Sequence, residues 1–230
     1  MRRADRELAR SLPLFSTVGA ELFHLLMRDA SLLRFAQFAT VIEEGRPVSF
    51  LHAVVEGAVE LSSGPAGHEA TLEIVHPRET FVLPAVLRNQ AYRQSARVLA
   101  PARILTIPAA TIRDLFNRDA GFARAVAIGL ASGHDRTMAA LKGLKLRSSA
   151  ERLANWILET HAAQGNNGEV TLKYPKRTLA SQLGMTPENL SRNLANLPKH
   201  GVSIKGRVMT IVDAEAVRRW GRREPLIEGS

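Results

Sequence analysis

The chain contains no cysteine. Disulfides, thiolate metal sites, thiolate catalysis and cysteine-held iron–sulfur clusters are thereby excluded. The redox compartment stays open, because a chain without thiols tolerates either. No apolar run reaches the roughly 18 residues that a membrane span needs. The start, Met1 to Glu7, is basic but has no apolar stretch behind it. No signal peptide and no membrane partner are expected, and the expected location is cytoplasmic. The histidines are dispersed and no His-x-His occurs. A metal-dependent oxygenase or isomerase built on a β-roll needs two or three clustered histidines and a carboxylate. No metal site and no catalytic residue is therefore expected. Repeats and low-complexity segments are absent as well.

What is present begins with size and charge. The 230 residues suffice for one large domain or two ordinary ones, and 45% apolar residues are enough for a sizeable core. The formal net charge is +9, unevenly spread: from Lys142 onward there are 15 Lys and Arg against 8 Asp and Glu, before it 16 against 14. A basic excess confined to one end is the electrostatic footprint of a polyanion binder, although a merely solvated surface has the same composition.

The pattern along the chain changes three times. Asp5 to Arg28 has helical apolar spacing, interrupted by Pro13. From Phe35 to Ile107 come short strand-length runs: Ala39 to Ile42, Phe50 to Val55, Ala58 to Leu61, Thr71 to Val75, Ala96 to Leu99 and Arg103 to Ile107. Gly45, Gly57, Gly64 and Gly67 lie between them, where turns need positive φ. This is the spacing of a β-sandwich or barrel. After Pro108 the pattern is helical again, with a short piece from Thr111 to Phe116 and a longer one from Asp119 to Lys142. The long helix carries a stripe that includes Phe122, Val126, Gly129, Gly133 and Leu141. Glycine costs about 1 kcal/mol inside a helix, so Gly129 and Gly133 call for a close neighbour. That neighbour is either the helix of a second copy or the chain's own β domain; the first makes these five residues a dimer interface. A polar break, Lys145 to Ser149, follows, and Ser148 or Ser149 can cap the next helix.

Lys176 to Leu183 reads as a short helix, Gly184 as a tight turn, and Thr186 as the cap of a second helix with Pro187 at its first position. Two short helices across a glycine turn make a helix-turn-helix. The second ends at Pro198, or one turn later if the proline is absorbed as a kink. Leu190, Leu194 and Leu197 form its inner face. Glu188, Ser191, Arg192 and Ala195 form its outer face, and each suits a base edge: arginine for guanine, glutamate for the cytosine amino group, serine for either, alanine for a thymine methyl. An i,i+4 surface pair of Glu188 and Arg192 is the plain alternative. His200 to Ile204 and Val208 to Val212 then read as a β-hairpin with Lys205 and Arg207 at its tip. Lys176, Thr186, Asn189, Lys205 and Arg207 are the expected contacts to the DNA backbone.

The segment Thr171 to Arg192 resembles the C-terminal module of the cyclic-AMP receptor protein/FNR (Crp/Fnr) regulators. Val41 to Gly45, Val54 to Leu61 and the helix leading into Leu146-Arg147-Ser148 resemble their N-terminal half, so the likeness runs in order along nearly the whole chain. It implies an α+β chain: a β jelly-roll effector-sensing domain at residues 1–118, a dimerisation helix and hinge at 119–147, and a winged helix-turn-helix at 148–230. It also implies a homodimer on palindromic double-stranded DNA, with RNA polymerase as a further partner. The base-reading pattern Glu-x-x-Ser-Arg falls on Glu188, Ser191 and Arg192. An arginine precedes that glutamate in the cyclic-AMP receptor branch, whereas Pro187 stands here. The DNA code is thus FNR-like, with half-sites of the type TTGAT.

The same comparison weighs the effector pocket, which is expected around Phe81, Leu83, Pro84, Arg93 and Ser95. In the cyclic-nucleotide branch a glycine–glutamate pair and an arginine–serine pair hold ribose and phosphate. Here the first falls on Leu83 and Pro84 and the second on Gln94 and Ser95, with Arg93 one residue early. Cyclic AMP is not the expected effector, and without cysteine no iron–sulfur cluster is expected. The chain is closest in character to the FNR, DNR and NnrR-like branch, whose nitric-oxide-responsive members include haem binders. That would draw a ligand from His24, His52, His68, His76 and His134, none of which their spacing selects. A regulatory module acting on a protein partner is the alternative outside DNA binding.

Overall fold

The computed structural model describes residues 3–65 and 67–222. Met1 and Arg2 of the basic start, Ala66, and the end of the expected DNA-binding module from residue 223 lie outside the described residues. The chain divides into two compact units, Met1–Gly133 and His134–Ser230. The division falls inside the long helix.

The first unit opens with α1 (Arg3–Arg10), a 3-10 turn at Pro13–Phe15 and α2 (Ala20–Arg28), so Pro13 breaks the helical pattern where expected. Six strands follow: β1 (Ser31–Phe35), β2 (Thr40–Ile42), β3 (Phe50–Ser63), β4 (Ala70–Val75), β5 (Thr80–Phe81) and β6 (Ser95–Pro108). A short helix, α3 (Leu83–Arg88), sits between the last two. All pairings are antiparallel, in the order β1-β6-β3-β4, with β2 also on β6 and β5 also on β3. Two pairs of expected strands are single long ones, β3 and β6, each 14 residues. Their shared ladder shifts register around Glu56 and Ala58, and bulges of this kind bend a sheet into a roll. Gly57 lies at the bend with φ +89°, and a Cβ there would stand 2.5 Å from the Pro101 carbonyl oxygen. Glycine is thus required by close backbone approach, not by a turn.

The roll encloses Val54, Val59, Ala96, Val98 and Ile104, all fully buried. It is closed by α4 (Ala109–Arg118) and the start of α5 (Ala120–Leu146). α5 runs one turn past the expected Lys142. Phe122 and Val126 are buried in the same core, and the atoms nearest a Cβ built at Gly129 belong to Leu83 and Leu14. Of the side of α5 read as a dimer stripe, Phe122 and Val126 are therefore taken up by its own domain, whereas Gly129 stays exposed. Burying Phe122 removes a large apolar surface from water within one chain, which explains the preference.

The second unit contains α6 (Ser149–Ala163), β7 (Glu169–Thr171), α7 (Lys176–Gln182), α8 (Pro187–Asn196), a 3-10 turn at Leu197–His200, β8 (Val202–Lys205), β9 (Val208–Ile211) and α9 (Ala214–Gly221). Ser148 caps α6 in a reciprocal arrangement: its Oγ accepts from the Glu151 N–H at 3.3 Å, and its own N–H donates to Glu151 Oε2 at 2.7 Å. β7, β9 and β8 form a three-stranded antiparallel sheet in that order. Leu153, Ile157, Leu179, Leu190, Leu197, Val202 and Val217 fill the core between helices and sheet.

Candidate nucleic-acid interface

Between α7 and α8 the chain turns at Gly184, whose φ is +60°. Thr186 starts α8, its hydroxyl accepting from the Asn189 N–H at 3.2 Å, and Pro187 occupies the first turn, where a missing N–H leaves nothing unsatisfied. The α-helix stops at Asn196, and Pro198 is taken up in the 3-10 turn behind it. Leu190, Leu194 and Leu197 are buried, while Glu188, Ser191, Arg192 and Ala195 lie on the outer side and are all exposed. The two faces read from spacing are thus the two faces of the folded helix.

Glu188 and Arg192 make no ion pair among the described residues, so the surface-pair alternative does not tie them up. The Glu188 carboxyl is nevertheless held below the usual carboxylate range, first by its own backbone N–H, then by the Thr186 hydroxyl, with the charge of Arg192 adding. It stays ionised, and so remains an acceptor, across the physiological range.

Asn189 differs from expectation. Its Oδ1 accepts from Asn193 Nδ2 at 3.3 Å and from Ser149 Oγ at 3.5 Å, and Asn193 Nδ2 also donates to Ser149 Oγ at 3.2 Å. Its side chain therefore faces the first turn of α6, not a phosphate, because the i,i+4 partner on α8 lies on that side. Thr186 offers a hydroxyl already used as a cap. Lys176, Lys205 and Arg207 are exposed cations. The hairpin that carries the last two turns at Gly206, with φ +64°, and is fixed to the chain before α7 by the Leu172 N–H on the Arg207 carbonyl at 2.8 Å. Cations at the start of α7 and the hairpin tip, with a polar helix face, make a surface suited to a polyanion with readable edges. α9 and β7 escaped sequence reading: β7 has three residues and α9 follows the last strand-like run without a turn signal, although Asp213, whose Oδ1 accepts from the Ala216 N–H at 2.9 Å, is a cap signal that could have found it.

On the sensor side the expected pocket residues differ in burial and in partners. Phe81 and Leu83 are buried in the core, Pro84 and Arg93 are not, and Ser95 Oγ accepts from the Glu44 N–H at 3.1 Å. Pro84 lies in the first turn of α3 and removes a backbone donor from that helix end. No carboxylate replaces the missing ribose partner at Leu83 and Pro84. These residues do not fit a cyclic nucleotide.

Of the five candidate histidines, only His52 is buried. Its ring stacks on Phe81 with centroids 5.2 Å apart and lies edge-on to Phe50 and Tyr92. Burial lowers its pKa to about 4, with a backbone hydrogen bond at Phe50 opposing, and its Nδ1 has no partner among the described residues. A cavity of about 370 Å³ adjoins it, lined also by Thr40, Arg46, Ser49, Phe50 and Tyr92.

Residues 32–119 match the model of the cyclic nucleotide-binding domain, and residues 151–220 that of the Crp-like helix-turn-helix domain. Among solved structures, a candidate cAMP-binding regulatory protein from Silicibacter pomeroyi DSS-3 is 27% identical, with 96% of this chain and 100% of that one covered and a TM-score of 0.66. A CRP-family transcriptional regulator from Thermus thermophilus shares 23% identity over 83% of this chain and 97% of its own, with a TM-score of 0.70. FixK2 from Bradyrhizobium japonicum shares 18% over 83% and 96%, with a TM-score of 0.75; these last two likenesses speak for the fold. No curated protein matches the chain at a significant level. No helix among the described residues is long and apolar enough to cross a membrane.

Proposed function

Because this chain belongs to the Crp/Fnr family of transcription regulators, which are not enzymes, we propose that it acts as a homodimer reading a palindrome with FNR-like half-sites, TTGAT, about one helical turn apart. The observation that carries this reading is the outer face of α8, where Glu188, Ser191 and Arg192 stand together with no ion pair among the described residues. Arg192 bonds guanine, Glu188 accepts from cytosine, and Ser191 meets the neighbouring A·T pair. Lys176, Lys205 and Arg207 hold phosphates. Arg192→Ala is expected to cost about 1–3 kcal/mol per half-site and to relax preference at the guanine, whereas Lys205→Ala weakens all sequences alike and flattens the salt dependence by about one unit. Equal loss on specific and scrambled DNA for Arg192→Ala overturns the assignment. RNA polymerase is the further protein partner in this reading.

The dimer uses the side of α5 turned away from its own domain. Ala127, Ala131, Met138 and Leu141 stand at heptad-like spacing, all exposed, with Ile128 beside them at 58% exposure. Met138→Glu is expected to shift sedimentation from dimer to monomer; a dimer of unchanged strength refutes this face.

The effector is not a cyclic nucleotide, for want of the ribose and phosphate partners. A second reading, haem-borne nitric oxide sensing, is favoured by one feature: the buried His52, whose Nδ1 has no partner among the described residues, would be the residue to hold the iron of such a group. A specific Soret band in haem-reconstituted protein, lost in His52→Ala, is the expected result; no band in the wild type dismisses it.

A further inference from the structure

The first turn of α6 does more than start a helix. Arg152, one residue past the capping Glu151, donates Nη1 to the Arg147 carbonyl at 2.6 Å, Nε to the Leu183 carbonyl at 2.7 Å and Nη2 to the Gly184 carbonyl at 3.2 Å. The first of these carbonyls follows the last turn of α5, whose helical ladder is extended by the Arg147 N–H on the Gly143 carbonyl at 3.2 Å. The second ends α7, and the third is the turn before α8. Two helix C-termini thus point their partial negative ends at one spot, and a single planar cation answers both. Carbonyls at helix ends lack partners within their own helix, so the guanidinium satisfies groups that would otherwise need water. A second contact closes the same joint. A Cβ added at Gly184 would stand 2.4 Å from Leu144 Cδ2, so the α5 side chain lies directly on the turn.

We propose that Arg152 is a positioning residue for DNA reading, one that locks the end of α5 to the turn of the helix-turn-helix so that α5 sets the angle at which Glu188, Ser191 and Arg192 are presented. This builds on the DNA-reading role proposed above. Arg152 acts through backbone carbonyls and touches no phosphate. Its loss changes discrimination between sequences, not the number of counterions released on binding. Ser149, held by Asn189 and Asn193, supports the same joint from the neighbouring turn. Lysine at position 152 would bring the charge without the planar fork and could serve the three carbonyls only in part.

The test compares full-length wild type with Arg152→Gln, Arg152→Lys and Leu144→Ala by fluorescence anisotropy. Each is titrated against a palindrome selected with the wild type and against a scrambled duplex, over a range of salt, with folding checked by circular dichroism. Arg152→Gln is expected to bind the palindrome about tenfold more weakly, with scrambled binding and the salt slope unchanged. Arg152→Lys should fall between it and the wild type. Combining Arg152→Gln with Leu144→Ala should add less than the sum of the two, because both open one joint. Unchanged discrimination in Arg152→Gln, or equal loss on both duplexes, overturns the positioning role. Where Arg152→Gln does not fold, Leu144→Ala decides by the same criterion. A wild type that selects no duplex overturns the DNA-reading role itself, a result distinct from the others.

Discussion

Acidification should destabilise the β-roll through His52. In the folded chain its pKa is about 4, against 6.5 for a free imidazole, because a charged ring would be buried among Phe50, Phe81 and Tyr92. Between those two values the unfolded chain holds a proton that the folded chain does not, so stability rises with pH across this window. The contribution is whole above 6.5 and is lost as pH falls toward 4. Linkage gives a loss of about 2 kcal/mol by about pH 5, and about 3 kcal/mol once the full shift has been traversed. Carboxylates elsewhere also titrate in this range, so the measurement must be a difference. His52→Phe keeps a ring on Phe81 but cannot be protonated. Urea unfolding of both proteins between about pH 7.5 and about 4.5, followed by circular dichroism of the sheet, should show the wild type losing stability faster than the variant as pH falls. Both tryptophans, Trp156 and Trp220, belong to the DNA-binding unit, and their fluorescence serves as an internal control that should show no such difference. Parallel pH profiles for the two proteins refute the burial argument.

Gly57→Ala should destabilise the first unit by about 1–3 kcal/mol, since an alanine there must hold a left-handed backbone against the Pro101 carbonyl; an unchanged urea midpoint would show that the bend tolerates a methyl. Ser148→Ala removes one half of the capping box and should cost about 1 kcal/mol in the tryptophan-detected transition, with Ser148→Asp restoring most of it. If the alanine variant matches the wild type, the cap contributes nothing.

The DNA-binding unit was legible because its signals are local. Thr186 before Pro187, the glycine at 184 and leucines at i, i+4 and i+7 each act within a turn or two of chain. The capping Ser148 was one of two readings for the same reason. The sheet was legible only in pieces. Phe50 to Val55 and Ala58 to Leu61 look like separate strands because Gly57 resembles a turn in sequence; that it is a bulge follows from Pro101, far away along the chain. The long helix left two readings open for a similar reason. Spacing identified the apolar stripe but could not tell a partner's helix from Leu14 and Leu83 of the same chain. Asn189 likewise has the chemistry of a phosphate contact, and only the proximity of Ser149 turns it inward.

The division of α5 into two faces has an evolutionary consequence. The residues that seat the helix on its own domain, Phe122 and Val126, are not those proposed to meet a second copy, Ala127, Ala131, Met138 and Leu141. Drift on the outer set can therefore change which paralogue a chain pairs with, while the inner set keeps the sensor intact. A genome that duplicates such a gene can insulate the two products from one another by a few outward substitutions. Neither copy need pass through a form with a damaged roll.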